Sequence, residues 1–474
     1  MKYYNTINSK LKIFLTGMYL FFSFGLSAQL STQSPYSGFG VGELHSGNSV
    51  SAFGLGGVST GWKDAYLINS SNPASYSFLH TTTFQIDGFS KVNNLSNSTG
   101  TEQVNTSGLD NVNFVFKKRN SASSFALGLR KFSSTGYQII DSLSTPDFNV
   151  DYYYEGSGGI NNFNMGYAYV FKIKKFNGLL EPNPSLDSLD REKLYVVRHK
   201  LSFGANFDWM FGVINHLKRT RFDNTTFLNT LINRDFQVND YNFTLGIQGS
   251  FNLYQKGILK RETNREKLDL IFGVSYALNN DIQFKETYSA LAIPSQGSAT
   301  IISLNEDQPG YFSLPQKINL GMSLVFEKNG RILQWGIDYK EQDWSSYKMV
   351  VGDETISGNF AKSSSLGTGL EITPMSYDKS TNYFGLMTYR MGVRTAKTYW
   401  FINDVNIDEK AVTAGLSLPL LGSKSFSKLN FGMEIGTRGS TDVGLIQEKF
   451  TNFMVGFTFT PHYYNRWFVV RKYD

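Results

Sequence analysis

From Phe163 to Phe171 the odd positions hold Phe163, Met165, Tyr167, Tyr169 and Phe171, while the even positions hold Asn164, Gly166, Ala168 and Val170. The same period returns at Leu201, Phe203, Ala205, Phe207, Trp209 and Phe211, set against Ser202, Gly204, Asn206 and Asp208. It returns again at Tyr241, Phe243, Leu245 and Ile247, set against Asn242, Thr244, Gly246 and Gln248. A period of two is that of a β-strand, whose successive side chains leave opposite faces. In a soluble sheet the face turned from the core meets water and collects Lys and Glu. Here one face is aromatic and the other small and polar, the pattern of a wall with lipid outside and a wet or filled lumen inside.

Read this way, the chain predicts strands over 82–90, 111–118, 123–133, 160–172, 200–213, 239–253, 268–278, 316–327, 331–339, 364–373, 383–395, 411–420, 429–437 and 449–459. That is an all-β membrane barrel of about fourteen antiparallel strands, the even number that bacterial outer-membrane barrels use. The links support an orientation, because such barrels pair long outer loops with short periplasmic turns. Links 91–110, 134–159, 279–315 and 340–363 read as long, whereas 119–122 and the Asn-Gly turn at 328–330 read as short. Link 173–199 is long where a short one is expected.

A barrel this wide cannot be filled by its own side chains, as one of roughly eight strands is. The segment before the first strand is dense in glycine, with Gly38, Gly40, Gly42, Gly47, Gly54, Gly56, Gly57 and Gly61, yet carries Phe39, Phe53, Trp62, Tyr66 and Ile68. Its composition allows a disordered periplasmic tail. Its apolar content favours an inserted plug. The expected organisation is a signal peptide over 1–28, a plug over 29–80, the barrel over 81–460, and over 461–474 either the end of the last strand or a periplasmic tail.

Composition narrows the class. The 474 residues are 41% hydrophobic, 15% aromatic and 18% charged. The one long apolar run, 13–26, follows Lys2, Lys10 and Lys12 and precedes Ser27, Ala28 and Gln29, the layout of a Sec signal peptide. A bundle of membrane helices would need several runs of about 20 apolar residues. Cysteine is absent, which excludes a lipoprotein anchor, disulfides and thiolate chemistry. The net charge of +6 resides in clusters such as Lys117, Lys118 and Arg119, between alternating segments where a barrel places its turns. Export and position together argue against nucleic acid as a partner.

Leu67, Ile68 and Asn69, then Asn72-Pro73-Ala74 directly before the first alternating strand, resemble the end of the N-terminal hatch in the FadL family of outer-membrane transporters. Leu314-Pro315 leading to Leu320-Gly321, then Trp335, Asp338-Tyr339 and Trp344, resemble that family's strand pair in the second half of the barrel. So do Phe207 to Gly212, Tyr389 to Gly392 and the ending Trp467-Phe468 with Arg471-Lys472. The resemblance implies a fourteen-stranded barrel with a hatch, passing long-chain fatty acids or other hydrophobic small molecules inward. It implies capture by apolar helical pieces in two outer loops and lateral exit where a strand is kinked. The candidate capture residues are Phe222, Phe227, Leu228, Leu231 and Ile232 in one loop, where the i to i+4 spacing predicts a short helix. In the other they are Leu291, Ile293, Ile301 and Ile302, with Tyr288 and Leu304 beside them. The two loops packing on each other as a lid is an equal alternative. Candidate kink positions are Gly128 and Gly136, since glycine weakens a strand.

The five histidines, His45, His80, His199, His216 and His462, show no metal-ligand spacing, and no nucleophile elbow or phosphate cradle is present. No cofactor, metal or enzymatic activity is expected. Two functions remain. One is a passive outer-membrane transporter of hydrophobic small molecules in a Gram-negative envelope, with membrane lipid and an apolar ligand as partners. The other is a sealed barrel serving as a structural subunit of an envelope secretion or barrel-assembly complex, with a protein partner at the periplasmic turns.

Overall fold

The structure is a computed structural model that describes residues 32–118, 121–146, 148–176, 195–224, 226–256, 265–294, 298–375, 382–420 and 426–460. The expected signal peptide, most of link 173–199 and the tail after residue 460 lie outside these residues. The strands are β1 (Glu43–Leu44), β2 (Thr83–Ser96), β3 (Thr101–Phe116), β4 (Ser123–Ser134), β5 (Tyr137–Ser144), β6 (Asn149–Phe176), β7 (Tyr195–Phe222) and β8 (Asn229–Lys256). They continue as β9 (Glu266–Ala277), β10 (Asn280–Ile293), β11 (Thr300–Leu314), β12 (Lys317–Lys328), β13 (Arg331–Asp343), β14 (Lys348–Val351), β15 (Glu354–Ser357) and β16 (Lys362–Thr373). The last four are β17 (Thr388–Ile402), β18 (Val405–Pro419), β19 (Lys428–Arg438) and β20 (Gln447–Phe459).

Every wall pairs antiparallel with the next, and β20 returns to pair with β2, from Phe84↔Phe459 to Ser96↔Gln447, so the sheet closes. Nine walls are single strands. Five are two strands in series (β4 with β5, β9 with β10, β11 with β12, β13 with β14, β15 with β16), which makes fourteen. Each of the fourteen predicted segments lands on a wall of its own, although 383–395 opens with the helical turn Tyr383–Leu386 and becomes strand only at Thr388. The aromatic phase faces outward, with Met165, Tyr167, Tyr169 and Phe171 exposed, and the small phase faces inward, with Asn164, Ala168, Ser202 and Asn206 buried.

Most of what reads as long outer loops is strand. The first hairpin needs only residues 97–100 for its turn, and β6, β7 and β8 each run for 28 residues. A span needs about 9–11 residues, so two thirds of each of these strands lies beyond the membrane. Above the lipid, the outer face meets water and the aromatic phase disappears. The ladder continues without it, to Val150↔Phe222.

Toward the outer end, wall residues and the N-terminal segment form a packed apolar core. Ile160, Met210, Ile214, Phe236, Val238, Ile282, Phe284, Phe312, Leu314, Trp344, Tyr347, Tyr399, Trp400 and Ile407 from the walls meet Tyr36 and Val41 from the N-terminal segment, all buried. Trp344 stacks on Tyr399 at 4.7 Å between ring centroids, and Tyr36 stacks on Trp400 at 5.6 Å.

Candidate functional site

Residues 50–76 circle the inside of the barrel along a belt of wall glycines. A Cβ at Gly456 of β20 would lie 2.9 Å from Val50, at Gly432 of β19 2.8 Å from Phe53, and at Gly415 of β18 3.2 Å from Gly54. Continuing round, Gly392 of β17 and Gly369 of β16 lie against Leu55, Gly336 of β13 against Val58, Gly321 of β12 against Gly61 and Gly273 of β9 against Thr60. Gly246 of β8, Gly204 of β7 and Gly166 of β6 then meet Asn72, Pro73 and Tyr76. A segment in contact with eleven consecutive walls lies within the lumen. The glycines are needed because backbone approaches backbone there: a Cβ at Gly273 would sit 1.9 Å from the Thr60 carbonyl oxygen.

Polar anchors complete the seat. Asp338 on β13 accepts from the amides of Ser59 (2.7 Å) and Thr60 (2.6 Å), and Lys340 donates to the Gly57 carbonyl at 2.7 Å. Asn72 caps the 3-10 turn that Pro73 opens, accepting from the Ala74 amide at 3.1 Å, while its Nδ2 donates to Thr60 and to Ile247 of the wall. The Asn72-Pro73-Ala74 motif is thus the joint between the lumen segment and the wall.

Ahead of the belt, residues 32–44 lie at a break in the third wall. β4 pairs with β3 only from Phe125 to Arg130, and the third wall then departs from the second. The vacated edge takes β1, with Leu44↔Ser133 and Glu43↔Ser134, and higher up the Ser34 amide donates to the Gly136 carbonyl at 2.9 Å. Gly136 stands at the interruption between β4 and β5. Gly128 does not: it is paired on both sides, with Asn113 and Asn164, in a regular ladder. Of the two candidate glycines, Gly128 thus sits within a regular ladder and Gly136 at the interruption.

Glu43 belongs to a buried ion network centred on Arg438. Arg438 contacts Glu43 (2.8 Å), Glu409 (2.8 Å) and Glu448 (3.1 Å), Lys91 contacts Glu43 (3.0 Å), and Arg394 bridges Glu409 (2.5 Å) and Glu434 (2.7 Å). Burial alone would raise the Glu43 carboxyl, but Lys91 and Arg438, with a hydrogen bond from Thr32, hold it well below the usual carboxylate range. His45 bonds Ser134 at 2.9 Å and lies 3.8 Å from Asp110; burial lowers its pKa despite that neighbour. A cavity of about 200 Å³ lies here, lined by Glu43, His45, Lys91, Arg394, Glu409 and Arg438 among others. These walls were legible only as strands. The signal missed was charge at the inward phase: Arg390, Gly392 and Arg394 on β17, and Glu434, Gly436 and Arg438 on β19, alternate with lipid-facing positions.

Among the described residues, 229–232 form the start of β8 rather than a short helix. Phe222 ends β7 and clusters with Phe148 and Phe227, while Leu231 and Ile232 are consecutive residues of β8 and leave opposite faces. Leu291 and Ile293 lie on β10, and Ile301 and Ile302 on β11. A strand ladder won over the local i to i+4 spacing because β7 and β10 flank β8 on both sides, pairing Ile232 with Lys218 and Ala290. Among the described residues no group of three His, Asp or Glu is arranged to hold a metal.

A closed fourteen-walled barrel with a segment wound through its lumen is the fold of FadL-type outer-membrane barrels. A Pseudomonas aeruginosa FadL homologue shares the fold at a TM-score of 0.50 and 11% identity, over 88% of this chain and 98% of that one. The TodX monoaromatic hydrocarbon channel, as a deltaS2 mutant, does so at 0.51 and 14%, over 88% and 99%. The Ralstonia pickettii toluene transporter TbuX gives 0.48 and 13%, over 87% and 97%. No curated protein sequence matches the chain. The family model described as BamG matches residues 10–177 and 192–474, and the chain belongs to the BamG family.

Proposed function

We propose that this protein is a sealed outer-membrane barrel that serves as a structural subunit of an envelope complex. The packed aromatic core at the outer end carries this reading. A conduit for hydrophobic molecules needs an apolar path, and here the buried apolar residues at the outer end pack on one another, while the cavity near the belt sets Glu43, Lys91, Arg394, Glu409 and Arg438 beside Phe89, Phe450 and Met454. An apolar solute gains little by leaving lipid for such a site. Membership of the BamG family weighs weakly on the same side.

Passive transport of hydrophobic small molecules is the second reading, favoured by the break at Gly136. It requires residues 32–44 to leave the edge they occupy. One experiment separates the two: purify the chain from its own membrane in mild detergent and titrate it with a fluorescent fatty acid. A stoichiometric protein partner and no saturable fatty-acid binding support the structural subunit. A lone barrel with saturable binding overturns it.

A further inference from the structure

Beyond the lipid-facing belt, β5 and the outer parts of β6, β7, β8, β10 and β11 form one upright sheet on the side of the long hairpins. It ends in two edges. β11 pairs with β14 only over Gly310–Phe312, which leaves 300–309 as one edge. At the other, β5 pairs only with β6 among the described residues.

The two edges differ in protection. Natural sheets blunt exposed edges with charges, prolines and bulges. The β11 edge has all three: Glu306, Asp307 with a positive φ of 55°, Pro309, and register shifts against β10. β5 reads Tyr-Gln-Ile-Ile-Asp-Ser-Leu-Ser, with one charge, no proline and an unbroken register against β6. Exposed apolar side chains do not separate the two edges, since Ile140 (58%) and Leu143 (51%) on β5 are matched by Ile301 (61%) and Ile302 (63%) on β11; the backbone protection does. Lower on this same edge, β1 is already added as a strand at Ser133 and Ser134, and Ser34 bonds Gly136.

We propose that β5 is a docking edge that receives an extended strand from a partner protein on the outer face of the membrane. This rests on the structural-subunit reading and names the chemistry of its contact. Main-chain N–H and C=O groups of alternate β5 residues supply the ladder, and Ile140 and Leu143 supply apolar cross-strand partners. Eight residues of strand give an edge of about 26 Å.

The test uses the full-length barrel in detergent and a fluorescein-labelled nonapeptide of alternating Thr and Val. Expected are saturable binding, loss when alternate peptide amides are N-methylated, and at least a tenfold weakening in Ile140→Lys/Leu143→Lys. The variant Ile301→Lys/Ile302→Lys, on the protected edge, binds as the parent does. Heat-modifiable gel mobility verifies that each variant is folded. Binding that survives N-methylation or the β5 lysines overturns the proposal. So does disulfide dimerisation of Ser142→Cys without peptide, since that makes a second copy the occupant. If a partner co-purifies and stays on the β5 lysine variant, the structural reading stands and this edge is not its dock. If nothing co-purifies from the native membrane and the barrel binds fatty acid, the structural reading falls, and β5 as a partner's dock falls with it.

Discussion

The amide of Ser34 donates to the carbonyl of Gly136 across 2.9 Å, so the N-terminal segment occupies the edge that the third wall exposes when it leaves the second. The approach is close: a Cβ on Gly136 would lie 1.9 Å from the Thr32 carbonyl oxygen. Gly136→Val is expected to expel residues 32–37 while leaving the ladder below Arg130 intact. Limited proteolysis of the detergent-solubilised protein should then cut near Thr32, and unchanged protection would show that the segment is held elsewhere.

Arg438 faces three buried carboxylates, those of Glu43, Glu409 and Glu448. Removing one partner of a buried ionic cluster strands the others and costs about 3–5 kcal/mol. Arg438→Met should lower the unfolding temperature on heat-modifiable gels, and the triple replacement that also converts Glu409 and Glu448 to Gln should recover part of it. A single variant as stable as the parent would mean water reaches the cluster.

The same network gives a pH dependence. Glu43 in the folded chain ionises well below its ordinary value, so its stabilisation is present above that value and disappears as pH falls through the folded one. His45 acts in the same direction, because the unfolded imidazole takes a proton near pH 6.5 and the buried one takes it only at lower pH. Acidification should therefore loosen residues 32–45, read as faster amide exchange there. Glu43→Gln should flatten the slope below pH 4.5, and an unchanged slope would assign it to other carboxylates.

Trp344 is fully buried in the outer core, stacked on Tyr399. Trp344→Ala is expected to cost about 3–5 kcal/mol through the cavity left behind. In liposomes it should also raise leakage of a small apolar dye. A destabilised yet tight barrel would place the seal in the glycine belt instead.

The belt itself is tested by contrast. Gly273→Val pushes into the Thr60 backbone, whereas Gly100, in the first outer turn, has nothing within 4 Å. The first substitution should release the lumen segment to protease and Gly100→Val should not.

Lipid made the walls legible. Because hydrocarbon faces every second residue, Phe163 to Phe171 announces a strand, its orientation and its place in a count of fourteen. Where the solvent changes, the code stops. Leu231 and Ile232 meet water on strands that continue upward, so their spacing mimics a helix while neighbours on both sides hold them in a ladder. Inside the lumen the sequence shows small residues and scattered charges. Which glycine seats which backbone atom, and that Glu43 meets Arg438 from nearly four hundred residues away, depend on closure of the sheet. Alternation is a local consequence of each residue's surroundings, whereas the filled lumen arises only when β20 pairs with β2 and brings distant walls around one segment.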